Sequence, residues 1–307
     1  MSQPDDLTYA EHAFDIIAKA VELANANQPF ALITSLAIEG GAAREVGSLA
    51  IVERGGAMTG YLSNGCIDRD IQHHALNALA SRAKKLIRYG DGSRYVDLKL
   101  PCGGALTVLI DPDPDTAAVL KAEAALRARR TSSLAFEGPA DEAPAISKEF
   151  EYTPRHRLVL AGRGAIFRSM AQIGRATGYD VFALSPELSD LDAVRPVLNA
   201  EPVHLMSPNS SMPLDMLDAH SAFLTLFHDH DWEPALLRAA LDTPARFIGS
   251  LGSRRTHEMR KETLRQMKVP EASISRLRGP IGLVPSLRDA SSIAVSALAE
   301  IIAEFRN

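Results

Sequence analysis

Two cysteines and one tryptophan occur in 307 residues, and aromatic residues make up only 6%. No stretch of about 18 uninterrupted apolar residues appears, so no segment reads as a membrane-spanning helix. Two cysteines cannot make a disulfide scaffold. Free thiols in a reducing cytoplasm are expected, with a transient or regulatory bond between Cys66 and Cys102 left open. A basic excess is also missing: Lys and Arg number 33 against 38 Asp and Glu, giving a net charge of -5. That excludes nucleic-acid binding through a broad basic face. The opening Met1-Ser2-Gln3-Pro4-Asp5-Asp6 is acidic, with neither the basic n-region nor the apolar h-region of an export signal.

What is present is ordinary globular composition, 46% hydrophobic and 23% charged. The length exceeds what one core supports, and two domains of about 150 residues each are the natural expectation. Residues 8–27 carry helix-spaced apolar positions. Strand-like runs follow at 30–37 and 47–52, a helix at 68–83, strands at 85–89 and 106–110, and an alanine-rich helix at 112–130. This predicts a mixed α+β domain over 1–130. Ser, Gly, Pro, Asp and Glu then dominate 131–156, the best candidate linker. Beyond it, strand 157–161 runs into a glycine turn, a helix to Gly178 and a second strand at 179–184. Later strands at 222–227 and 246–249 extend this βαβ opening to a doubly wound, Rossmann-like parallel-sheet domain over 157–307.

In Gly162-Arg163-Gly164-Ala165-Ile166-Phe167, two glycines stand where a strand becomes a helix, whose first amides can hold a phosphate. The third fingerprint position holds Phe167, and the following strand ends in Ser185-Pro186-Glu187 without the acid that binds a ribose hydroxyl. A second glycine loop, Gly249-Ser250-Leu251-Gly252-Ser253-Arg254-Arg255-Thr256, pairs a Ser253 helix cap with arginines suited to phosphate or carboxylate. His228-Asp229-His230-Asp231 reads as a ligand-facing His228 beside Asp231 capping the next helix, ahead of a metal cluster. Both cysteines sit against glycine, in Leu62-Ser63-Asn64-Gly65-Cys66-Ile67-Asp68 and Leu100-Pro101-Cys102-Gly103-Gly104-Ala105. Glycine there lets a ligand approach the sulfur, and loop amides can favour the thiolate, whereas Asp68 and Asp70 oppose it. No catalytic residue set for hydrolysis stands out.

In order along the chain, these pieces resemble the XdhC/CoxI family of accessory proteins for molybdenum hydroxylases such as xanthine dehydrogenase. The resemblance rests on Ser63-Asn64-Gly65-Cys66-Ile67-Asp68, Cys102-Gly103-Gly104, Gly162-Arg163-Gly164, the segment around Leu226-Phe227-His228-Asp229, Ile248 to Arg255, and Gly279-Pro280-Ile281-Gly282-Leu283. It implies a chaperone that binds molybdenum cofactor, as molybdopterin or its dinucleotide form, protects it during sulfuration and delivers it to a hydroxylase. It further implies contact with a cysteine desulfurase-type sulfur donor and a homodimer. No turnover is needed for that work.

By this analogy Cys66 and Cys102, with Gly65, Gly103 and Gly104, face the molybdenum end as possible metal contacts. Gly162, Gly164, His228, Ser253 and Arg254 face the phosphate end, with both cysteines opening into one cleft toward the Gly162 and Ser253 loops. The chain departs from the family pattern at Asn64, Phe167, Ser185 and Val284-Pro285-Ser286, which bears mainly on the nucleotide half. Two alternatives stay open: an NAD(P)-dependent oxidoreductase using the Gly162/Gly164 turn, and a ligand-free interaction protein.

Overall fold

In the computed structural model, which describes residues 7–41, 43–63, 65, 67–91, 104–140, 142 and 145–306, the chain divides into two units, Met1–Pro154 and Arg155–Asn307. The first contains β1 (Leu7–Thr8), α1 (Ala13–Asn25), β2 (Phe30–Glu39), β3 (Leu49–Glu53), β4 (Met58–Gly60), α2 (Asp68–Ser81), β5 (Lys85–Gly90), β6 (Ala105–Asp111), α3 (Thr116–Arg127), β7 (Ser132–Glu137) and β8 (Ser147–Tyr152). Six of these strands form one sheet in the order β1-β4-β3-β2-β6-β5, antiparallel apart from the β1–β4 pair. β2 reads as a near-continuous apolar run because both its faces are covered. Phe30 and Leu32 join α1 and α3 in one core, whereas Ala31 and Ile33 join α2 in the other.

The expected linker is a correction. β7 and β8 pair antiparallel as a hairpin, and Leu134, Phe136 and Tyr152 are buried in the core of α1 and α3. Tyr152 donates its hydroxyl proton to the Gly47 carbonyl at 2.9 Å. Polar composition between 131 and 156 reflects the hairpin tip and the outward positions of β7, where burial alternates residue by residue. Each strand is only six residues long, too short for that period to show through the polar residues.

The second unit contains β9 (Arg157–Gly162), α4 (Gly164–Ala176), β10 (Asp180–Ser185), α5 (Leu188–Val194), β11 (Val203–His204), β12 (Ser221–Leu226), α6 (Glu233–Leu241), β13 (Phe247–Ser250), α7 (Arg254–Gln266), α8 (Glu271–Ile274), β14 (Leu277–Arg278) and α9 (Ala290–Arg306). Its sheet is parallel throughout, ordered β11-β10-β9-β12-β13-β14. This is the doubly wound arrangement expected from the βαβ opening, with its switch of direction between β9 and β12. α4, α5 and α9 cover one face around Phe167, Met170 and Leu298. α6 and α7 cover the other around Leu237 and Leu264. Among the described residues, no helix is long and apolar enough to cross a membrane.

If the hairpin is part of the first core, Leu134→Ala will destabilise the protein by about 2–5 kcal/mol, the ordinary cost of emptying a buried leucine site. Urea unfolding followed by circular dichroism checks this, and a side chain on a free linker would give no measurable change.

Candidate functional site

Parallel strands start their helices at one edge, so loops and helix N-termini gather there. At this edge of the second unit lies a cleft of about 1090 Å³, lined by His228 and His230 after β12, Ser253 and Arg254 after β13, and the segment from Gly279 to Leu287 after β14. Ser253 is extended and accepts the Thr256 amide at 3.1 Å, so it caps α7 as its sequence position predicts. The Arg254 and Arg255 amides, first in that helix, meet no protein acceptor among the described residues. They point their partial positive charge outward. The Arg254 side chain is exposed. Leu283 and Val284, also in the lining, are 59% and 55% exposed, and their loop is pinned to α9. There Gly282 donates to Glu300 at 2.5 Å and Val284 to the Ser296 hydroxyl at 2.8 Å.

A buried charge network lies beneath the cleft. Arg260 of α7 grips Glu233, the first residue of α6, through Nε and Nη2 at 2.9 and 3.0 Å. Both side chains are almost wholly buried. Arg260 also donates to the Leu251 carbonyl at 2.9 Å, while His230 Nδ1 lies 3.2 Å from Glu233. Thr225 donates to Glu233 at 3.1 Å and pairs with Ser250 at 2.7 Å, joining the ends of β12 and β13. Neither Glu233 nor Arg260 stands out in sequence; an acid followed by proline at a helix start is the only signal, and it reads as ordinary capping chemistry. The expected cap at Asp231 is corrected: Asp229 accepts the Asp231 amide at 3.2 Å, because a single helical turn at His230–Trp232 precedes α6. No group of three His, Cys, Asp or Glu side chains among the described residues could hold a metal ion.

His257 of α7 fills the space beside Gly279. A Cβ on Gly279 would fall 2.2 Å from the His257 Nδ1. That nitrogen is buried without a hydrogen-bond partner among the described residues. Burial, followed by the Lys261 and Arg260 charges, holds the ring below the ordinary histidine range.

The first glycine turn differs from the second. Gly164 starts α4 at φ +79°, where any side chain would be strained. Its amide donates at 2.7 Å to Asp190, whose other oxygen accepts Arg168 Nε at 2.5 Å. Gly162 is bare for packing: a Cβ there would lie 2.6 Å from Leu226 Cβ on β12. Phe167 is fully buried between α4 and the sheet. Of the predicted phosphate-end residues, the cleft therefore brings together His228, Ser253 and Arg254, while Gly162 and Gly164 are not among its lining residues.

In the first unit, Cys66, Cys102 and Gly103 lie outside the described residues, as does their expected convergence on one cleft. Around them, Asp68 is buried and accepts the amides of Leu62, Ser63 and Gly65 at 2.9–3.0 Å and the Ser63 hydroxyl at 2.8 Å. The loop amides expected to favour a thiolate are thus already satisfied at these three positions. Gly104 is needed where β6 passes the end of β2, since a Cβ would meet the Glu39 and Gly41 carbonyls at 2.5 and 2.6 Å.

Comparison with known proteins agrees with this two-unit architecture. The family model for the XdhC Rossmann domain matches residues 158–301, and that for the XdhC and CoxI family matches residues 23–90. The chain belongs to the XdhC and CoxI family. Its XdhC Rossmann half holds the cleft. Over 97% of the chain it is 28% identical to the molybdenum cofactor insertion chaperone PaoD of Escherichia coli, covering 91% of that protein. It is 24% identical to the uncharacterized protein YqeB of the same organism, spanning 46% of its length. A crystal structure of a xanthine dehydrogenase from Bacillus halodurans shares the fold with a TM-score of 0.74 at 19% identity, over 94% of this chain and 95% of that one.

The Glu233–Arg260 pair is a buried ion pair next to this cleft. Glu233→Ala strands a buried guanidinium and will cost about 3–5 kcal/mol, read as a lower urea midpoint. Substitution of the exposed Arg254 will leave the unfolding free energy within about 0.5 kcal/mol of the wild type.

Proposed function

We propose that this protein binds molybdenum cofactor as cargo and passes it to a molybdenum hydroxylase. The observation that carries the proposal is the cleft after β12, β13 and β14, where the α7 amides, Arg254 and His228 face open space beside the apolar Leu283 and Val284. An anionic group is stabilised at such a helix start by the macrodipole and by a guanidinium that binds phosphate in bidentate fashion. The volume is at the upper end for small-molecule sites and suits a pterin phosphate carrying a nucleotide. Likeness to a molybdenum cofactor insertion chaperone over nearly the whole chain supports the same reading.

In this proposal Ser253 fixes the α7 start, Arg254 and His228 meet the phosphate end, and the pterin lies toward Leu283. Cys66 and Cys102 supply soft thiolates for the molybdenum end, a ligand type suited to such a metal centre. Holding the cofactor while its terminal sulfur is installed requires a cysteine desulfurase-type donor to approach, and delivery requires docking to the hydroxylase. A cytoplasmic homodimer completes the proposal.

Protein purified without oxygen from a molybdenum-replete host will carry molybdenum and a pterin detectable by mass spectrometry, which also distinguishes the plain from the dinucleotide form. Arg254→Ala will weaken cofactor binding by about tenfold or more, equivalent to losing one charge-assisted phosphate contact. Cys102→Ala will lower molybdenum retention. Unchanged affinity in both cysteine variants would remove the thiolate role, and an unchanged Arg254 variant would remove the cleft.

A further inference from the structure

The glycine turn between β9 and α4 has the shape of a dinucleotide-binding turn, yet its Gly164 amide and its Arg163 side chain already meet carboxylates of this chain. Asp190, only 4% exposed, takes the Gly164 amide with one oxygen and Arg168 with the other. Arg163, between the two glycines, lies 3.5 Å from Glu187 and 3.7 Å from Asp229. These contacts draw the loops after β10 and β12 toward the turn on either side. At the end of β10 the Ser185 hydroxyl is fully buried and accepts the Glu187 amide at 3.1 Å, where an acidic side chain would otherwise meet a ribose. The chain after β10 folds inward over the place a ligand would use.

We propose that Asp190 is a specificity residue that keeps nucleotide diphosphates, including NAD(P), out of this turn and leaves anionic ligands to the cleft after β12–β14. A diphosphate arriving at Gly164 must expel a buried carboxylate that is hydrogen-bonded to the same amide and paired with Arg168. While the carboxylate stays, like charges oppose the ligand. The turn is thereby a structural joint, closed by an internal anion. The inference does not depend on what the cleft holds.

The test is calorimetric titration of the full chain with ADP and with NADH, in the wild type, Asp190→Ala, Asp190→Ser and the pairing of Asp190→Ala with Arg254→Ala. Removing the carboxylate will create a diphosphate site that the wild type lacks, seen as one additional equivalent of bound ADP or an affinity gain of about tenfold or more. The gain will persist when Arg254 is also changed. If the cleft reading fails, Arg254→Ala will alter nothing, but the extra equivalent will still appear. In wild-type protein the backbone amide resonance of Gly164 will stay unshifted when ADP or NADH is added, a readout that does not depend on either variant folding. A shifted Gly164 resonance in the wild type, or folded Asp190 variants that bind no more ADP than the parent, would overturn the proposal.

Discussion

The buried pair of Glu233 and Arg260 is the constraint around which the candidate site is organised. Charges taken out of water this completely persist only when each is gripped on several sides. Here Glu233 of α6 and Arg260 of α7 hold each other and are met by Thr225 of β12 and the Leu251 carbonyl, while Ser250 of β13 bonds Thr225 in turn. One ion pair therefore fixes the spacing of two helices on the same face of the sheet and the course of two loops at its edge. Because α7 is held by Arg260 in its second turn, the amides and cap at its start are held too. The start of α7 in the cleft wall is thus held by a residue that does not line the cleft.

Two glycine turns on one sheet edge follow opposite logic. In both, a strand delivers the chain to a helix start with unpaired amides. After β13 the cap is a neutral serine, which satisfies one donor and leaves the field of the helix uncancelled. After β9 the partner is a carboxylate, which satisfies the donor and cancels the field together. The side chain that answers each helix start decides whether it remains open to an anion, and glycine spacing alone does not reveal it.

That difference marks the limit of what the sequence disclosed. Strands β2, β9, β10 and β12 were legible because buried parallel or centrally placed strands are nearly continuous apolar runs. The α7 cap was legible because Ser253 lies next to the helix it caps. Asp190 was not, since it is 26 residues from the amide it fills. Arg260 was hidden similarly, in a strongly polar helix whose other charges are mostly solvent-facing. The hairpin after α3 was masked by its polar tip. Local chemistry shows in local sequence; partners brought together by sheet topology do not.

The contact between His257 and Gly279 carries a constraint on how this chain can change over time. Any side chain at Gly279 would collide with the imidazole, and a smaller residue at 257 would leave a void behind the rim of the cleft. Neither position can drift alone without passing through a strained or hollow intermediate. The two should vary as a pair across related sequences, with the bulk moving from one to the other, so that the width of the cleft mouth is inherited as a joint property of α7 and the segment after β14.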